Sequence, residues 1–488
     1  MSEWTFGFDA AAAATGDTLQ ARIGAALVAE VRRGRLPPGS RLPGSRRLAE
    51  AFGVHRNTVL AALRALEAEG WLVARPGSGT YVAADLPDRL ESAWTAGARS
   101  IAPTQPGFDF APAPEQPVPV PPHGALVLAG GAPDLRRVPV TALTRAWRRA
   151  LTVAGGTLLG YGPPEGHPAL RSALADLTSR VRGLSAGPEQ VIVTRGAQQA
   201  LDLVARAFVR PGDVVAVEVL GYPPAWSALE RAGARLLPLP VDGDGLDVEA
   251  LERAVAANPV RAVYLTPHHQ FPTMVPLSPG RRARLLSLAA AHRMIVIEDD
   301  YDNELHHVGR PLLPLASADR AGVVIYVGTL SKILAPGLRI GFAVAPAQVI
   351  TRLAAERRVV DRQGDRALEA AVAELLEDGE VQRHARRMRR LYSARRDALV
   401  LALRAELGDA LAFDVPAGGV ALWARLRRDL PFDAWVAACR ARGVWFQTAA
   451  ELCRPEVRPP PCVRLGFASL EEEALRRAAV HMGEALPR

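Results

Sequence analysis

The sequence predicts two folded parts: a small α+β module of three helices and a β-hairpin, and a large α/β domain that ends in a smaller α+β region. The chain has 488 residues, too many for one hydrophobic core. A proline-rich stretch separates the two parts, and beyond it apolar strand patterns alternate with helical ones. We therefore assign residues 16–84 to the module, 85–123 to a semi-rigid linker and 124–488 to the large domain. Its smaller region begins at about residue 390.

The composition favours a globular protein without a membrane anchor. Hydrophobic residues make up 49% and charged residues 23% of the chain. No run of about 18 apolar residues is present, and the N-terminus lacks the basic region of a secretory signal. The cysteines Cys439, Cys453 and Cys462 cannot all pair and do not have the spacing of a metal site. We expect a cytoplasmic protein with no membrane partner and no metal centre.

Lysine usage is the most unusual feature of the composition. The formal net charge is +8, which permits a polyanionic partner. Of the 59 basic residues counted as Lys and Arg, only Lys332 is a lysine. Arginine stays protonated and cannot attack an aldehyde, so a single retained lysine can mark a place where amine chemistry is required. The alternative is that Lys332 was retained by chance at a surface position where the residue type does not matter. The motif around Lys332 distinguishes the two interpretations.

Periodicity predicts the elements of the small module in order. A first helix ends at Gly34, a short helix over 46–52 ends at Gly53, and a third over 56–69 ends at Gly70. Two strands, 71–74 and 80–83, flank the turn RPGSG at 75–79. Two helices joined by a tight turn and followed by a hairpin have the organisation of a winged helix-turn-helix, whose second helix enters the major groove of DNA.

Polar and basic residues occupy the positions of that module that would face DNA. They could instead form an ordinary solvated surface. In the DNA-binding interpretation, the N-terminal ends of the two helices and the hairpin tip would contact bases and phosphates. These candidates are Arg46, Arg47, His55, Arg56, Asn57, Thr58, Arg75 and Gly77.

The ordered motifs of the module resemble the GntR-type winged-helix domain. They are LPPGSRLP at 36–43, GVHRNTV at 53–59 and GSGTYV at 77–82. The resemblance covers the module and implies a double-stranded DNA operator as partner. Gly44 stands where the pattern usually has serine, so we expect one phosphate or capping contact to be lost there.

Seven apolar segments of the large domain are predicted to be strands of a mainly parallel sheet. Helical patterns separate most of them, as right-handed crossovers require. The segments are 191–194, 214–219, 235–241, 262–266, 294–298, 323–328 and 340–345. In the smaller region, 418–426 and 463–467 are also predicted strands.

Chemically distinctive residues follow these strands at the ends where α/β sheets place their ligands. Together they offer an amine, a phosphate cup, a carboxylate for a pyridine nitrogen and a stacking ring, which is the set that pyridoxal 5′-phosphate (PLP) requires. Each alone could be an ordinary loop or core residue. The predicted roles are Lys332 for the aldehyde; Thr329, Ser331, Arg339 and the strand-to-helix segment Gly196, Ala197 and Gln198 for phosphate; Asp299 for the ring nitrogen; Tyr301 for the phenolic oxygen; and Tyr222 for stacking.

From about residue 126 onward the chain resembles a fold type I aminotransferase, and with the module in front it resembles the MocR/GabR family of transcription regulators. The matching motifs include GYG at 160–162, TP at 266–267 with HQFPT at 269–273, EDDY at 298–301, SK at 331–332 and VRLGF at 463–467. The resemblance implies that Lys332 forms a Schiff base with PLP. It also implies that Arg464 grips an effector's carboxylate and that Tyr161 reaches the partner subunit's site in a head-to-tail homodimer.

Two residues depart from the family pattern. Met274 stands where the pattern has glycine, so the local backbone is expected to differ. Pro224 stands where γ-aminobutyrate-sensing members carry an arginine, which argues against γ-aminobutyrate as the effector. His268 and His269 are expected to be hydrogen-bonding residues near the ring and not catalysts or metal ligands, because they lack a partnered Cys or Glu at a suitable spacing.

The leading functional hypothesis is a DNA-binding regulator in which an amine effector replaces Lys332 on PLP as an external aldimine. A working aminotransferase with a fused DNA-binding module is the alternative, and some transaminase activity is compatible with the first hypothesis. A third possibility, that the large domain only dimerises the protein, is disfavoured by the complete set of cofactor residues. The effector, the operator and the direction of regulation are not determined by these patterns.

Overall fold

The computed structural model describes residues 18–87, 107–109, 120–128, 130–309 and 312–487. The chain divides into two compact units, Met1–Pro117 and Val118–Arg488. Most of the predicted linker lies outside the described residues, as do residues 16 and 17 of the predicted module. Within the described ranges, no helix is long and apolar enough to cross a membrane.

The N-terminal unit contains the predicted three helices and hairpin. Gly53 ends the second helix with a φ of 60°, a left-handed conformation that glycine adopts without strain. The hairpin strands pair in antiparallel register, with Leu72 opposite Val82. The elements are α1 (Leu19–Arg32), α2 (Ser45–Phe52), α3 (Arg56–Ala68), β1 (Leu72–Arg75) and β2 (Gly79–Val82).

One hydrophobic cluster holds this unit together. Ile23 and Leu27 from α1, Leu48 and Phe52 from α2, and Val59 from α3 are all buried in it. Because these residues recur at helical spacing, the opposite faces of the helices remain polar. The winged-helix fold predicted for this unit is confirmed.

The large unit carries fifteen strands and eleven α-helices among its described residues, short two-residue strands included. Its elements up to the end of the central sheet are β3 (Leu126–Val127), α4 (Val140–Leu159), α5 (Pro168–Arg182), β4 (Val191–Thr194), α6 (Gly196–Phe208), β5 (Val214–Glu218), α7 (Pro223–Arg231), β6 (Arg235–Leu239), β7 (Val241–Asp242), β8 (Gly245–Leu246), α8 (Val248–Ala257), β9 (Val260–Leu265), α9 (Pro279–His292), β10 (Ile295–Asp300), β11 (Val324–Thr329) and β12 (Gly341–Val344). The remaining elements are α10 (Ala347–Val360), α11 (Arg366–Glu377), α12 (Glu380–Leu407), β13 (Leu411–Phe413), β14 (Ala421–Leu426), α13 (Phe432–Ala441), β15 (Val444–Trp445), β16 (Gln447–Thr448), β17 (Cys462–Gly466) and α14 (Glu472–Glu484).

The seven predicted strands form one sheet in the order β4-β12-β11-β10-β9-β5-β6. All neighbouring pairs are parallel except those of β12, which runs antiparallel to β4 and β11. The sheet is therefore mixed, with a parallel majority as predicted. Strands β4, β5, β9, β10 and β11 end at the same edge, which positions the functional site.

Alternate residues of the central strands pack into separate clusters on the two faces of the sheet. Val191 and Val193 pack with α5 and α11, whereas Ile192 packs with α6 and α10. Val296 packs with α8 and α9, and its neighbour Ile297 joins the cluster of Ile192. Because helices cover both faces, these strands carry apolar residues on both sides.

A second antiparallel sheet, β13-β14-β17-β16, forms the predicted smaller α+β region. Helix α12 leads into it from Glu380, ahead of the predicted start at about 390. Leu126 and Leu128 are buried in its core, and β3 pairs with β15. Sequence patterns did not indicate that the start of the large unit joins the core of its end, because this contact is set by packing alone.

Candidate functional site

A cavity lies at the carboxyl edge of the central sheet, where the predicted cofactor residues meet. Parallel strands end together there, and their loops supply side chains from distant parts of the chain. The cavity is lined by Gly130, Gly131, Ala197, Gln198, Tyr222, Thr266, Phe271, Asp299, Tyr301, Thr329, Ser331, Lys332, Pro336, Arg339, Gln447 and Arg464.

Lys332 projects into this cavity from the loop that follows β11. Its ammonium donates a hydrogen bond to the carbonyl of Gly131. Burial and the nearby Arg464 guanidinium lower the pKa of Lys332 to about 8. A lysine with a lowered pKa offers a larger fraction of neutral, nucleophilic amine near neutral pH. A side chain at position 131 would crowd that amine, since a Cβ there would lie 3.2 Å from Nζ.

Asp299 lies near the end of β10, and only one of its two carboxylate oxygens has a hydrogen-bond partner. Tyr264, on the neighbouring strand β9, donates its hydroxyl to Oδ2 at 2.9 Å. Oδ1 is buried and has no hydrogen-bond partner within the described protein. Burial raises the pKa of Asp299 to about 7. A buried acceptor of this kind calls for a donor, and a cationic N–H group would restore the carboxylate to its ionised form.

Arg464 is a fully buried cation on β17 whose guanidinium nitrogens have no hydrogen-bond partner in the described residues. Desolvation lowers its pKa from the usual range. Its guanidinium carbon lies 4.6 Å from the centroid of the Phe271 ring. Gly130 lies directly against the guanidinium, since a Cβ at that position would lie 1.9 Å from Nη1. A buried, unpaired guanidinium is costly, so this site is built to receive an anion such as a carboxylate.

Another part of the cavity wall carries hydroxyls, a cation and a helix N-terminus. Thr329 donates its hydroxyl to that of Ser331 at 2.9 Å. The guanidinium of Arg339 packs close to Gly196, where a Cβ would come within 3.1 Å of it. Ala197 and its neighbours are the first residues of α6, whose free N–H groups and dipole favour negative charge. This wall is suited to phosphate.

Three aromatic rings line the remaining side. Tyr222 and Phe271 meet edge to face with centroids 5.7 Å apart, and Phe271 meets Tyr301 in the same way at 6.1 Å. The Tyr301 hydroxyl donates to the backbone carbonyl of His269 at 3.1 Å. Burial raises the pKa of Tyr222, so its ring stays neutral. These rings form an apolar wall for a flat ligand.

In the N-terminal unit, the predicted DNA-contacting residues lie at the starts of α2 and α3 and at the hairpin tip. Arg46, Arg47, His55, Arg56, Asn57, Arg75 and Gly77 are exposed, and Thr58 is half-buried. His55 caps α3, accepting from the backbone N–H of Asn57 at 3.3 Å. The N-cap of α2 is Gly44, which provides no side-chain capping bond, as its departure from serine predicts.

Comparisons with known proteins bear on both units. Residues 125–482 match the model of the family "Aminotransferase class I and II", and residues 19–82 match "Bacterial regulatory proteins, gntR family". The chain is 37% identical over 459 residues to the probable rhizopine catabolism regulatory protein MocR of Rhizobium meliloti, covering 92% of this chain and 90% of that protein.

The chain belongs to the MocR family of transcription regulators.

Two further relatives support this assignment, one a transcription regulator and the other an aminotransferase of solved structure. The pyridoxine biosynthesis transcriptional regulator PdxR of Corynebacterium glutamicum is 31% identical and covers 93% of each chain. The solved α-aminoadipate aminotransferase LysN of Thermus thermophilus is complexed with N-(5′-phosphopyridoxyl)-L-leucine. It has a TM-score of 0.69 and 31% identity over 74% of this chain and 92% of that chain. As in other MocR-type chains, a GntR domain is thus fused to an aminotransferase fold.

Two predicted site residues of this MocR-type chain lie outside the lining of the cavity. Gly196 lies against the guanidinium of Arg339, which does line the cavity. Tyr161 is 78% exposed, and the guanidinium of Arg362 lies 4.0 Å from its ring centroid. Its predicted reach into a partner subunit's site stays a prediction.

Several residues that line the cavity had no predicted role. The Gly130–Gly131 pair closes over Arg464 and Lys332, and Gln447 reaches the cavity from β16. The adjacent glycines were the only signal in the sequence, and none existed for Gln447. Thr266 and Phe271 belong to the matched family motifs but had received no function.

The structure shows the local surroundings of both departures from the MocR pattern. Met274 keeps a positive φ of 68°, so methionine occupies a backbone conformation that favours glycine. The expected change of backbone geometry is therefore not needed at this position. The carbonyl of Pro224, at the start of α7, accepts from Nε2 of Gln198 at 2.8 Å.

Proposed function

We propose that this regulator binds PLP in the cavity through Lys332 and senses a small amino compound that carries a carboxylate. The observation that carries this proposal is the meeting of Lys332, the half-satisfied Asp299 and the unpaired Arg464 in one cavity. Asp299 has a buried oxygen without a donor, and Arg464 has a buried guanidinium without an acceptor. Both lie in the same cavity as the Lys332 amine. PLP together with an amino acid-like effector would supply the missing donor and acceptor.

The residues fit PLP on each side of the cavity. PLP, when bound, supplies an aldehyde that condenses with an amine and a ring that withdraws electrons. Oδ1 of Asp299 would accept from the ring nitrogen, and Tyr222 would stack on the ring. Thr329, Ser331, Arg339 and the start of α6 would hold the phosphate. Glycine at 196 leaves the space in front of Arg339 open.

The effector site follows from the position of Arg464. Its guanidinium would bind the effector's carboxylate, while the effector's amine would take the place of the Lys332 amine on the cofactor. The displaced Lys332 is then free to accept a proton. Coupling to DNA requires that the effector bind one state of the protein more tightly than another.

The N-terminal unit would bind a double-stranded operator through α3. Its exposed start, with Arg56 and Asn57, suits the major groove, and Arg75 at the hairpin tip suits the phosphate backbone. We further propose a head-to-tail homodimer. The exposure of Tyr161 and of Leu159 at the end of α4 supports a second copy on this side of the large unit.

A working aminotransferase is the second candidate, favoured by the complete set of cofactor-facing residues. The Thermus thermophilus 2-aminoadipate transaminase is 32% identical over 74% of this chain. Keto-acid formation over many turnovers with a second substrate would support this candidate. A single stoichiometric conversion would not.

Three variants of the full-length chain test the proposal. Wild type and Arg358→Ala, a matched change at an exposed arginine of α10, should show cofactor absorbance in the near-visible range that shifts when amino acids are added. Lys332→Ala should lose the covalently linked species, whereas Arg464→Ala should keep it but lose the shift. Cofactor absorbance unchanged by Lys332→Ala, or a lack of sequence-specific DNA binding, would contradict the proposal.

A further inference from the structure

Three histidines from two loops come together next to the cavity. His268 and His269 follow β9, and His306 lies in the loop after β10. One ring nitrogen from each lies within 4.8 Å of the others. The rings of His269 and His306 are nearly parallel, with an interplanar angle of 10°. Imidazole is a preferred ligand of divalent transition metals, and three convergent imidazoles are enough to hold one.

His268 is the member with no partners. Its side chain is 4% exposed, and neither ring nitrogen has a hydrogen-bond partner within the described protein. A buried polar group left without a hydrogen-bond partner destabilises the folded protein. A buried imidazole with both nitrogens unsatisfied therefore points to a ligand at this place.

His269 has the hydrogen-bonding arrangement of a metal-binding histidine. Its Nδ1 is paired with Oδ1 of Asp302 at 2.8 Å, which leaves Nε2 as the nitrogen for a ligand. A carboxylate on the far nitrogen is the usual support of a metal-binding histidine. Gly418 keeps the space beside Nε2 open, because a Cβ at that position would lie 2.5 Å from it.

We propose that His268, His269 and His306 form a binding site for a divalent transition-metal ion of the zinc class. Zinc–nitrogen bonds of about 2.0–2.1 Å in a tetrahedral site place the nitrogens roughly 3.4 Å apart. Side-chain rotation must therefore bring the three nitrogens closer than the 4.8 Å within which they lie in this structure. A fourth position remains for water. The sequence predicted no metal because His268 and His269 lack a partnered Cys or Glu at a suitable spacing. The ligand that completes the set lies on another loop.

The proposed site would tie the cavity wall to the smaller α+β region. His306 forms an isolated antiparallel bridge with Gly418, and the backbone N–H of His307 donates to Ala417 at 2.7 Å. On the other side, the carbonyl of His269 accepts from Tyr301, which lines the cavity. A bound ion would therefore stabilise the contact between these segments and raise the unfolding temperature by ligand linkage.

Metal uptake by the untagged full-length chain tests this proposal. After dialysis against Zn²⁺ and removal of loosely held ions, elemental analysis should find one Zn²⁺ per chain. His268→Gln and His306→Gln should each weaken Zn²⁺ binding at least tenfold, whereas His292→Gln, an exposed histidine at the end of α9, should not. Asp302→Asn, which removes the carboxylate that supports His269, should weaken Zn²⁺ binding roughly 10- to 100-fold.

Binding of Co²⁺ to the wild-type chain tests the proposal even if a variant fails to fold. Co²⁺ bound to the wild-type chain should show visible bands of a nitrogen- and oxygen-ligated ion. Uptake no greater than that of the double variant His268→Gln/His306→Gln would mean that the cluster holds only ordered water and would overturn the proposal. A thiolate charge-transfer band would also overturn it, because it would place the ion on Cys439, Cys453 or Cys462. Neither readout depends on PLP.

Discussion

The hydroxyl of Tyr264 donates to Oδ2 of Asp299 at 2.9 Å across two neighbouring parallel strands, and Oδ1 of the same carboxylate is left without a partner. Tyr264 thus fixes the orientation of the carboxylate, and the free oxygen is available to the cavity that Asp299 lines. This pair links a buried strand residue that does not line the cavity to the group proposed to bind the pyridine nitrogen.

Asp299→Asn should weaken PLP binding by roughly 10- to 100-fold, because a hydrogen bond to a charged group contributes about 1.5–3 kcal/mol. The side chain keeps its shape but loses the charge that holds the ring nitrogen protonated. Equilibrium titration of cofactor-free protein, followed by absorbance, measures the change. Asp176→Asn, at an exposed aspartate of α5, is the control and should bind PLP like the wild type. Equal affinities in the two variants would exclude the proposed role of Asp299.

The reaction of Lys332 with aldehydes should depend on pH with a midpoint near 8. Burial and the Arg464 cation disfavour the ammonium form, so the amine is neutral above about 8, whereas an ordinary lysine needs about 10.4. Lys332 is the only lysine, so reductive trapping followed by peptide mapping reports on one side chain. The rate should rise as pH increases through this range.

Arg464→Ala should move that midpoint to higher pH, because a repelling cation is removed from the surroundings of Lys332. The same pH series on trapped peptide measures the shift, with Arg358→Ala as the control. A midpoint that stays constant or falls would show that Arg464 does not act on the amine.

Gly130→Ala should weaken binding of carboxylate-bearing effectors by roughly tenfold or more while PLP remains bound. The added Cβ would lie 1.9 Å from Nη1 of Arg464, so the guanidinium would have to move. Its hydrogen bonds to the effector's carboxylate, which contribute about 1.5–3 kcal/mol, would then be lost. Gly280→Ala is the matched control, since a Cβ there meets nothing within 4 Å. Effector titration of the cofactor absorbance gives both affinities. If Gly130→Ala binds effector normally, Arg464 is not the carboxylate site.

Arg56→Ala should reduce operator affinity more than Arg64→Ala, although both arginines are exposed on α3. Arg56 lies at the start of the helix, whose residues face base edges, and Arg64 lies two turns later. Loss of one base contact costs about 1–3 kcal/mol, and loss of one phosphate contact also lowers the salt dependence of binding by about one ion. Gel-shift titrations at several salt concentrations distinguish the two effects. A larger loss for Arg64→Ala would place another part of the helix in the groove.

The sequence by itself determined the two folded units, the seven strands of the central sheet and most of the residues that line the cavity. It could do so because parallel strands end at one edge, so that polar residues after strands such as β10 and β11 must lie close together. The winged-helix module was equally accessible, because its helix ends and turn depend on local signals such as Gly53.

Only the tertiary structure decided contacts between residues that no local pattern connects. The Gly130–Gly131 pair reaches Lys332 and Arg464 because β3 packs into the smaller region beside β15. His306 joins His268 because the loops after β9 and β10 come together beside Gly418. In each case burial and packing bring together groups that are distant in the chain. The chemistry of the resulting sites follows from that desolvation, which shifts the pKa values and leaves buried polar groups to be satisfied by ligands.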